Sequence, residues 1–373
     1  MKILIIAPNF LEPHAWMVSA YKTAKLLNKN HEIIVLTSKT KDSKKYEEIE
    51  GIKVHRMPCL FIGDPFNYTI TPGLSIYLHK ILKKEKPEKI IVSKNMFYTS
   101  FSIAILKYIY RRKAICQIDT FPGINWFAPS KTLNFILKIY SRTIGMFLLK
   151  ISDKVIILHE GLITTSKKYK LNYQVIHNGV NLKKFEKTKP AKDILKYKQD
   201  KTLFTYVGRL DDVKGYQTLL KVAKELEQKT EIKFLFVCGN KHQKLQEELN
   251  NKYKNCKFIG FREDIPEIMK ASDAYVMPSY AEGLPNTLME AMASKIPSIA
   301  SAVGGIKTLI RHRENGLLFN PGNKKELKKQ ILEIYKNKKL GNKLGKKGYE
   351  TIKEGYSWDQ IRKDWEKVLR CVE

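Results

Sequence analysis

Cysteine is scarce in this chain, and long uncharged apolar runs are absent. The five cysteines are odd in number, widely separated and form no Cys-x-x-Cys pair, which argues against a disulfide framework or a zinc site. No run of about 18 uncharged apolar residues occurs, as a membrane-spanning helix would require. The first residues have one charge and only a short apolar run, which indicates a buried strand rather than a signal peptide. We therefore expect a cytoplasmic protein that works in solution or on the cytoplasmic face of a membrane.

Acidic residues are also few. Against 68 lysines and arginines the chain has 37 aspartates and glutamates, which gives a formal net charge of +31. A chain of this charge attracts polyanions. The lysines are spread over most of the predicted surface, so composition leaves several partners open: nucleic acid, an anionic membrane or phosphorylated substrates. A purely solubilising role for the lysines is equally compatible with this distribution.

Short β-branched segments alternate with longer amphipathic ones along the whole chain. At 373 residues the chain is more than twice the usual size of one domain, so we expect two hydrophobic cores. Predicted strands form two series: 2–7, 32–37, 52–56, 89–93, 113–118, 154–158 and 173–177, then 202–207, 233–238, 256–260, 273–278, 297–301 and 316–319. Several are continuously apolar, as parallel strands covered on both faces are. The predicted fold class is therefore α/β, with two doubly wound, Rossmann-like domains in tandem.

The join between the two series lies in a lysine-rich polar stretch, residues 181–201. We predict domains over residues 1–185 and 186–355, followed by a closing helix over 356–373 whose tryptophans pack at the domain junction. Two such domains facing one another form a cleft between the carboxyl ends of their strands. Ligands bind at these strand ends in open α/β sheets.

The most informative segment, residues 280–293, joins a predicted strand to a predicted helix. Residues 283–286 would present free backbone N–H groups at the helix N-terminus, which is a ready phosphate site. Glu282 precedes the helix and Glu290 lies about two turns inside it, so the two carboxylates could contact different parts of one elongated ligand. Alternatively, the first glutamate caps the helix and the second is a surface residue.

A second loop, residues 207–215, also joins a strand end to a helix start. It contains Arg209 and Lys214, a pair that can neutralise a diphosphate, because arginine binds oxygens bidentately and lysine acts as a point charge. Basic loop residues are common in this chain, but both loops follow strands of the same predicted domain. We therefore expect the two loops to form one anion-binding edge.

Further motifs follow in a fixed order. The segments are Asn178-Gly179-Val180-Asn181 with Phe185, Gly208-Arg209-Leu210 with Lys214-Gly215, Pro278-Ser279, Glu282-Gly283-Leu284-Pro285-Asn286, Glu290-Ala291-Met292-Ala293, Gly304-Gly305, Asn315-Gly316-Leu317-Leu318-Phe319 and Tyr356-Ser357-Trp358. Together they cover most of residues 175–370 and resemble glycosyltransferase family 4. The resemblance implies the GT-B fold: an N-terminal acceptor-binding domain, a C-terminal domain that binds a nucleotide sugar across a cleft, and a C-terminal helix that crosses back to the N-terminal domain.

The resemblance also implies an activity. Relatives transfer a hexose from a nucleotide sugar, here expected to be UDP- or GDP-linked, to a glycan or lipid-linked acceptor in cell-surface glycan or glycolipid assembly. The anomeric configuration is retained and no metal or other cofactor is required, in agreement with the absence of an Asp-x-Asp triplet. Front-side attack without a covalent intermediate fits best, because no pair of nucleophiles is evident.

The roles of individual residues follow from the resemblance, position by position. Arg209 and Lys214 would bind the diphosphate and stabilise it as leaving group, Glu282 would contact the donor sugar, and Glu290 would accept hydrogen bonds from the ribose. Negative charge develops on the diphosphate, so fixed cations and amide dipoles lower the barrier. The other implied donor-binding residues are Gly208, Gly260, Phe261, Arg262, Gly283, Leu284, Pro285 and Asn286.

The N-terminal half departs from the family pattern at two places. His14 and Ala15 stand where many relatives have a Gly-Gly pair that lets the backbone approach the donor phosphate, so we expect side-chain contacts with acceptor or donor there instead. Asp119 stands where relatives commonly have a histidine. An ionised aspartate accepts hydrogen bonds but cannot donate them, so we expect the donor sugar to be held differently, with Asp119 in the catalytic site.

The segment over residues 131–150 helps to indicate which kind of acceptor the chain uses. At about 100° per residue, Lys131, Lys138 and Arg142 lie within roughly 40° of one another on a predicted helix. A cationic amphipathic helix of this kind is typical of helices that meet anionic lipid. A core helix with one basic solvent face would show the same pattern. Peripheral membrane attachment is therefore one hypothesis for this segment, and a core helix is the other.

Three other functions stay open. A sugar-nucleotide epimerase or hydrolase of the same fold would need an additional acid/base pair, and none is identified. A catalytically silent relative acting as a scaffold would be expected to have lost donor-site residues, which are all present. Specific nucleic-acid binding would explain the charge, but no recognised module or aromatic ladder occurs. His55, His159 and His177 show no metal-ligand spacing and are predicted to be structural.

Overall fold

The computed structural model describes residues 1–10, 19–39, 43–62, 68–124, 131–228, 230–239 and 243–372. The chain forms two units, of which the first comprises Met1–Asn178 with Ile361–Glu373 and the second comprises Gly179–Gln360. Each unit contains its own parallel sheet and its own buried apolar cluster. The predicted α/β class with two Rossmann-like domains is confirmed.

The first unit is built on an eight-stranded sheet with the strand order β10-β9-β8-β7-β1-β2-β4-β3. Its strands, with a separate β5–β6 pair, are β1 (Lys2–Ile6), β2 (Glu32–Ser38), β3 (Tyr46–Ile49), β4 (Ile52–Met57), β5 (Leu60–Ile62), β6 (Tyr68–Ile70), β7 (Lys89–Ser93), β8 (Ile115–Ile118), β9 (Lys154–Ile157) and β10 (Tyr173–Val175). Its helices are α1 (Ser19–Leu27), α2 (Leu74–Glu85), α3 (Ser102–Tyr108), α4 (Lys131–Arg142), α5 (Ile144–Ile151) and α6 (Ile163–Lys168), with 3₁₀ turns at Tyr98–Phe101 and Glu160–Leu162.

The seven strands predicted for this unit all pair in parallel. The antiparallel edge strand β3 was not predicted, because its sequence Tyr-Glu-Glu-Ile is too polar and short to suggest a strand. It forms through a tight turn in which Glu50 and Gly51 both have positive φ, 51° and 78°. Turns of this type match the twist of antiparallel strands and are common in hairpins.

Two helical layers cover this sheet. Parallel strands are joined by right-handed crossovers, so the reversal of direction after β4 places α2, α3, α5 and α6 on the face opposite α1. Apolar residues of α2, α3 and α5 join those of the central strands in one buried cluster. The strands therefore need to be apolar on both faces, which explains their continuous hydrophobic runs.

The second unit has a six-stranded, entirely parallel sheet with the order β13-β12-β11-β14-β15-β16. Its strands are β11 (Thr202–Val207), β12 (Ile232–Val237), β13 (Cys256–Ile259), β14 (Ala274–Met277), β15 (Ser298–Ser301) and β16 (Leu317–Phe319). Its helices are α7 (Leu182–Glu186), α8 (Lys192–Lys198), α9 (Tyr216–Leu226), α10 (Gln243–Lys252), α11 (Ile265–Ala271), α12 (Asn286–Ala293), α13 (Ile306–Leu309), α14 (Lys324–Lys336) and α15 (Lys338–Gly355), with a 3₁₀ turn at Asp212–Lys214. All six predicted strands are present.

The boundary between the units lies after Asn178, earlier than the predicted position at residue 185. The backbone N–H of Val180 donates to Tyr356 O at 2.8 Å, and the N–H of Trp358 donates to Val180 O at 3.0 Å. Phe185 is buried in the core of the second unit. These contacts bind residues 179–185 to the second unit, although the sequence groups them with the strand that precedes them.

The final helix, α16 (Trp358–Cys371), belongs to the first unit from Ile361 onward. Its Glu366 carboxylate lies 2.8 Å from His31 Nε2, and the guanidinium of Arg362 donates to Leu26 O at 3.1 Å. Trp365 is 1% exposed. The chain therefore returns to its first unit at its end, as the family resemblance implies.

The helix predicted over residues 131–150 is two helices, because the backbone breaks at Thr143 (φ −107°, ψ −96°). Only the second, α5, is a core helix, with Met146, Leu148 and Leu149 buried. In α4 the one fully buried side chain is Ser141. The core-helix interpretation of the whole segment is therefore wrong for α4. Among the residues that the structure describes, no helix is long and apolar enough to cross a bilayer.

Replacing Trp365 with alanine should lower the free energy of unfolding of the first unit by about 3–5 kcal/mol, because it removes a large buried side chain. Hydrogen exchange should accelerate in β1 and β2 and stay unchanged in β11 to β16. Lys367→Ala, at a position 72% exposed on the same helix, is the matched control and should change stability by less than about 0.5 kcal/mol. Equal acceleration in both sheets would contradict the assignment of α16 to the first unit.

Candidate functional site

The candidate site of the second unit lies where its sheet reverses direction. The chain runs from β11 outward to β12 and β13, and from β14 outward on the other side to β15 and β16. At such a point two adjacent loops diverge to opposite faces of the sheet and leave a crevice at the carboxyl ends of the strands. The loops after β11 and β14 are the two segments that the sequence singles out.

These two loops touch through their backbones. The N–H of Tyr280 donates to Val213 O at 2.8 Å. Gly215 has φ +61°, and a Cβ built on it would lie 2.0 Å from Pro278 O. A side chain at this position would collide with the neighbouring loop, so only glycine permits the close approach.

A third loop, which follows β15, makes an equally close backbone contact with the second loop. A Cβ on Gly304, which has φ +44°, would lie 1.8 Å from Glu282 O, and one on Gly305 would lie 2.3 Å from Gly283 O. The N–H of Gly305 donates to Gly283 O at 3.0 Å. The Glu282–Gly283 segment is thus fixed by backbone contact with the loop that follows the next strand.

Lys214 and Glu282 meet at the centre of this arrangement. Lys214 Nζ lies 2.8 Å from Glu282 Oε1, and the side chains are 24% and 9% exposed. The hydroxyl of Ser279 donates to the same carboxylate oxygen at 2.7 Å, and Ser301 Oγ donates to Ser279 O. Glu282 is therefore held in one orientation by a cation and a hydroxyl, and Lys214 remains accessible to an anion.

Arg209 lies on the same loop as Lys214 but points outward. Its guanidinium is 66% exposed and pairs with Asp211 at 2.9 Å. The backbone at Arg209 is anchored, because the hydroxyl of the buried Tyr206 donates to Arg209 O at 2.6 Å. The two cations expected to neutralise a diphosphate together are engaged separately, since Lys214 is bound to Glu282 and Arg209 to Asp211. Arg209 has a fixed base and an exposed charged end.

The helix after the second loop, α12, begins at Asn286 with Pro285 as its N-cap. The N–H groups of its first turn have no acceptor within the helix. Glu290 lies about one turn inside the helix, not two as predicted, because the helix starts later than expected. The half-buried carboxylate of Glu290 is therefore closer to the N-terminus, about 6 Å along the axis from Asn286.

In the loop after β13, Phe261 is 43% exposed, whereas the side chain of Arg262 is held in ion pairs. Its guanidinium contacts Asp264 at 2.5 Å and Asp193, at the start of α8, at 2.7 Å. These carboxylates raise the pKa of Arg262 further above its usual range. The Arg262 side chain thereby holds Gly260–Arg262 against α8 and is engaged by two carboxylates, whereas the Phe261 side chain remains partly exposed.

The first unit also gathers polar side chains at the carboxyl edge of its sheet. Asp119, which follows β8, forms an ion pair with Lys94, which follows β7. His159 Nε2 lies 2.9 Å from Asp119 O, and because a carbonyl oxygen only accepts, this nitrogen bears the proton. Burial lowers the pKa of His159, which keeps the ring neutral at pH 7. His14 and Ala15 lie outside the described residues.

Sequence reasoning missed Lys94. It is 9% exposed and has φ +74°, an uncommon backbone conformation for a lysine. A charged residue directly after an apolar parallel strand was the available signal. His177, predicted to be structural, contacts Glu160 at 3.1 Å beside this cluster.

Among the described residues at these strand ends, neither a cysteine nucleophile nor a metal site is supported. Cys238 follows β12, but burial raises the pKa of its thiol to about 12, so it is protonated and a poor nucleophile. No group of three or more His, Cys, Asp or Glu in the part of the chain that the structure describes could hold a metal ion. The arrangement is suited to binding an anion beside a fixed carboxylate.

Two family models match the chain, one for each half. Residues 18–184 match Glycosyltransferase Family 4, and residues 187–351 match Glycosyl transferases group 1. An uncharacterized glycosyltransferase of Methanocaldococcus jannaschii is 23% identical over 98% of this chain and 97% of its own length. The Escherichia coli UDP-Gal:alpha-D-GlcNAc-diphosphoundecaprenol alpha-1,3-galactosyltransferase is 32% identical, with 65% of each protein covered.

Solved structures resemble the whole chain. Sucrose-phosphate synthase from Thermosynechococcus elongatus has a TM-score of 0.79 at 20% identity, with 100% of this chain and 99% of that chain covered. HepE of Anabaena, in complex with UDP, has a TM-score of 0.78 at 18% identity, with both chains covered completely. At these identities the similarity establishes the shared GT-B fold and nothing further.

Replacing Gly304 with alanine should lower the free energy of unfolding of the second unit by about 1–3 kcal/mol, because the new Cβ overlaps Glu282 O and φ is positive. Gly355→Ala is the matched control, since no atom lies within 4 Å of its Cβ position, and it should leave stability unchanged or raise it by up to about 1 kcal/mol. Chemical denaturation measures both. Indistinguishable curves for the two variants would show that the loop contact is not tight.

Proposed function

This chain belongs to glycosyltransferase family 4, and we propose that it is a retaining, metal-independent hexosyltransferase that uses a nucleoside diphosphate sugar. The observation that supports the proposal is the Lys214–Glu282 pair at the reversal point of the second sheet, fixed by glycine-dependent loop contacts. A half-buried cation beside a carboxylate and a helix N-terminus suits a diphosphate joined to a sugar. The diphosphate binds to Lys214 and α12, and the sugar hydroxyls bind to Glu282.

Catalysis in this proposal comes from stabilising the leaving group. The bond between the anomeric carbon and the diphosphate oxygen breaks, and its electron pair stays on the phosphate. Lys214 and Arg209 neutralise that charge, assisted by the backbone N–H groups of Gly283, Leu284 and Asn286. These charges are already in place before the donor binds, since Lys214 is held by Glu282 and the backbone of Arg209 is anchored by Tyr206.

The acceptor hydroxyl attacks from the face that the diphosphate leaves, which retains the anomeric configuration. Its proton passes to the departing phosphate oxygen, so charge balances without a protein nucleophile. Asp119 accepts a hydrogen bond from a sugar hydroxyl in this proposal, and the ion pair with Lys94 orients its carboxylate. His159 fixes the Asp119 backbone.

We propose a UDP sugar as the donor and a lipid-linked acceptor in cell-surface glycan assembly. Two similar proteins support the nucleotide: the E. coli relative uses UDP-Gal, and HepE was solved with UDP and with UDP-glucose. The acceptor of the E. coli relative is a diphosphoundecaprenol-linked sugar, which supports the lipid link. A lipid-linked acceptor places the reaction at a membrane surface, which we propose to be the cytoplasmic face.

UDP, GDP and ADP should be compared by thermal shift, because a ligand that binds only the folded protein raises its melting temperature. We expect UDP to give the largest shift. Glu290→Ala should reduce this shift by removing hydrogen bonds to the ribose. Arg209→Ala should lower kcat by at least about tenfold while changing the nucleotide shift less, because its charge acts on the leaving group.

The matched controls are Glu354→Ala, an exposed glutamate of the same unit, and Arg313→Ala, an arginine 56% exposed on the same unit. Both should behave as the unmodified protein. Equal small effects of Glu290→Ala and Arg209→Ala would contradict the assigned roles. No shift with any nucleotide would favour a catalytically silent scaffold, and consumption of the donor without transfer to an alcohol would favour an epimerase or hydrolase.

Asp119→Ala should reduce kcat/KM for transfer at least about tenfold and leave the nucleotide shift unchanged, because Asp119 lies in the other unit from the donor loops. This change also leaves the charge of Lys94 nearly buried and unpaired, which destabilises the fold. The double variant Lys94→Met/Asp119→Ala removes that charge and separates the two effects. Unchanged turnover in the single variant would remove Asp119 from the site.

A further inference from the structure

Among the described residues, α4 and the start of α5 expose several large apolar side chains. Phe135, Ile136 and Ile139 on α4 are 66%, 56% and 49% exposed, and Ile144 and Phe147 on α5 are 43% and 49% exposed. These two helices pack against each other, so the five residues, called here the apolar face, lie on neighbouring elements. Large apolar side chains grouped in this way mark an interaction site rather than ordinary surface.

A cationic stripe borders the apolar face on α4. At about 100° per residue, Lys131, Lys138 and Arg142 span roughly 40°, and Phe135 lies about 20° beyond Arg142. All four are exposed. The helix therefore turns a basic edge and an apolar edge outward side by side, while Ser141 on its other side is buried. This is the pattern of helices that lie in the interface of a bilayer.

The surrounding helical layer has almost no opposing charge. Residues 71–152 contain 14 lysines and arginines but only three acidic residues. Glu85 is 7% exposed, Glu88 accepts the N–H of Lys2 at 2.9 Å, and Asp119 is paired with Lys94. An anionic surface can therefore approach this layer without meeting an unpaired carboxylate from it.

Other occupants fit these observations less well. A second copy of the chain would bring its own lysines against these lysines, and the net charge of +31 opposes self-association. A nucleic acid would pair with the basic stripe but would leave three isoleucines without apolar contact, since bases stack on aromatic rings rather than on aliphatic side chains. An anionic bilayer matches both the cations and the apolar side chains.

The position of α4 links this surface to the candidate acceptor edge. Ser141 Oγ donates to Pro122 O at 2.6 Å, and the hydroxyl of Tyr140 donates to Asn95 O at 3.1 Å. Gly123 has φ +70°, and a Cβ there would lie 2.5 Å from the backbone nitrogen of Lys138. The helix thus rests on the loops that follow β7 and β8, next to the ion pair described above.

We propose that the apolar face inserts into the interfacial region of an anionic bilayer, with the cationic stripe bound to lipid headgroups. A lipid-linked acceptor held in that bilayer then reaches the carboxyl edge of the first sheet by lateral diffusion. The docking itself needs only the charges and the apolar face. Its use for acceptor capture rests on the proposed function.

The test is co-sedimentation of the full chain, without nucleotide, with vesicles of phosphatidylcholine alone or mixed with phosphatidylglycerol. Binding should require phosphatidylglycerol and weaken with added salt. Ile139→Ser should lower the partition coefficient about tenfold or more by removing an apolar side chain that inserts into the bilayer in this proposal. The triple change of Lys131, Lys138 and Arg142 to glutamate should lower it about a hundredfold or more, since each cation near an anionic surface contributes about fivefold.

Leu195→Ser is the matched control, because Leu195 is 43% exposed on α8 of the second unit, and it should bind vesicles like the unmodified chain. The melting temperature of each variant verifies that it folds. Equal binding of Ile139→Ser and Leu195→Ser, or equal binding to neutral vesicles, would overturn the proposal. A concentration-dependent dimer in sedimentation velocity that is lost in Ile139→Ser would overturn it in favour of a second copy as the occupant.

The thermal-shift panel separates this proposal from the function. Vesicle binding by a chain that no nucleotide stabilises would leave the docking surface intact and refute the donor assignment. Conversely, a chain that is stabilised by a nucleotide but does not bind vesicles would support the donor assignment and refute the docking surface. If the chain binds both a nucleotide and vesicles, Ile139→Ser should lower sugar transfer to an acceptor in vesicles. The nucleotide-induced rise in melting temperature should stay that of the unmodified protein.

Discussion

Close backbone contact among three loops is the constraint on which the candidate donor site depends. Gly215, Gly304 and Gly305 let neighbouring carbonyl oxygens occupy the space that a Cβ would fill. This contact fixes the segments that contain Lys214 and Glu282, so their ion pair forms between parts of the chain 68 residues apart. Charged side chains on a fixed backbone rearrange little when an anion binds, so little free energy is spent on reorganisation. Such preorganisation is the physical requirement for stabilising a leaving group.

The first unit uses the same architecture with different chemistry. Its candidate edge also lies beside a reversal of sheet direction, but the described residues there contribute side chains rather than bare backbone. Lys94 neutralises Asp119, and the neutral ring of His159 holds the Asp119 backbone. A paired, partly exposed carboxylate is suited to accepting hydrogen bonds from hydroxyl groups. In the proposed function, the cation at one edge binds phosphate and the carboxylate at the other accepts from a sugar or an alcohol.

The positive charge of the chain is balanced by carboxylates to different extents in different regions. In the second unit many carboxylates are saturated by cations, as where Lys324 and Lys328 lower the pKa of Glu225 to about 2. In the helical layer around α4 the cations greatly outnumber the acids, and apolar side chains stand beside them. In the proposed docking, the excess charge of this layer acts together with the exposed apolar side chains beside it.

The sequence by itself determined the α/β class, the thirteen central strands and the motif loops, because apolar parallel strands and glycine-rich turns have strong local signatures. It also indicated Asp119 as unusual. Tertiary structure decided what depends on contacts between distant segments: that Lys94 pairs with Asp119, that Arg262 is held by two aspartates, and that Lys214 binds Glu282 while Arg209 points outward. It also decided that α4 is exposed, since periodicity distinguishes two faces of a helix but not which of them a neighbour covers.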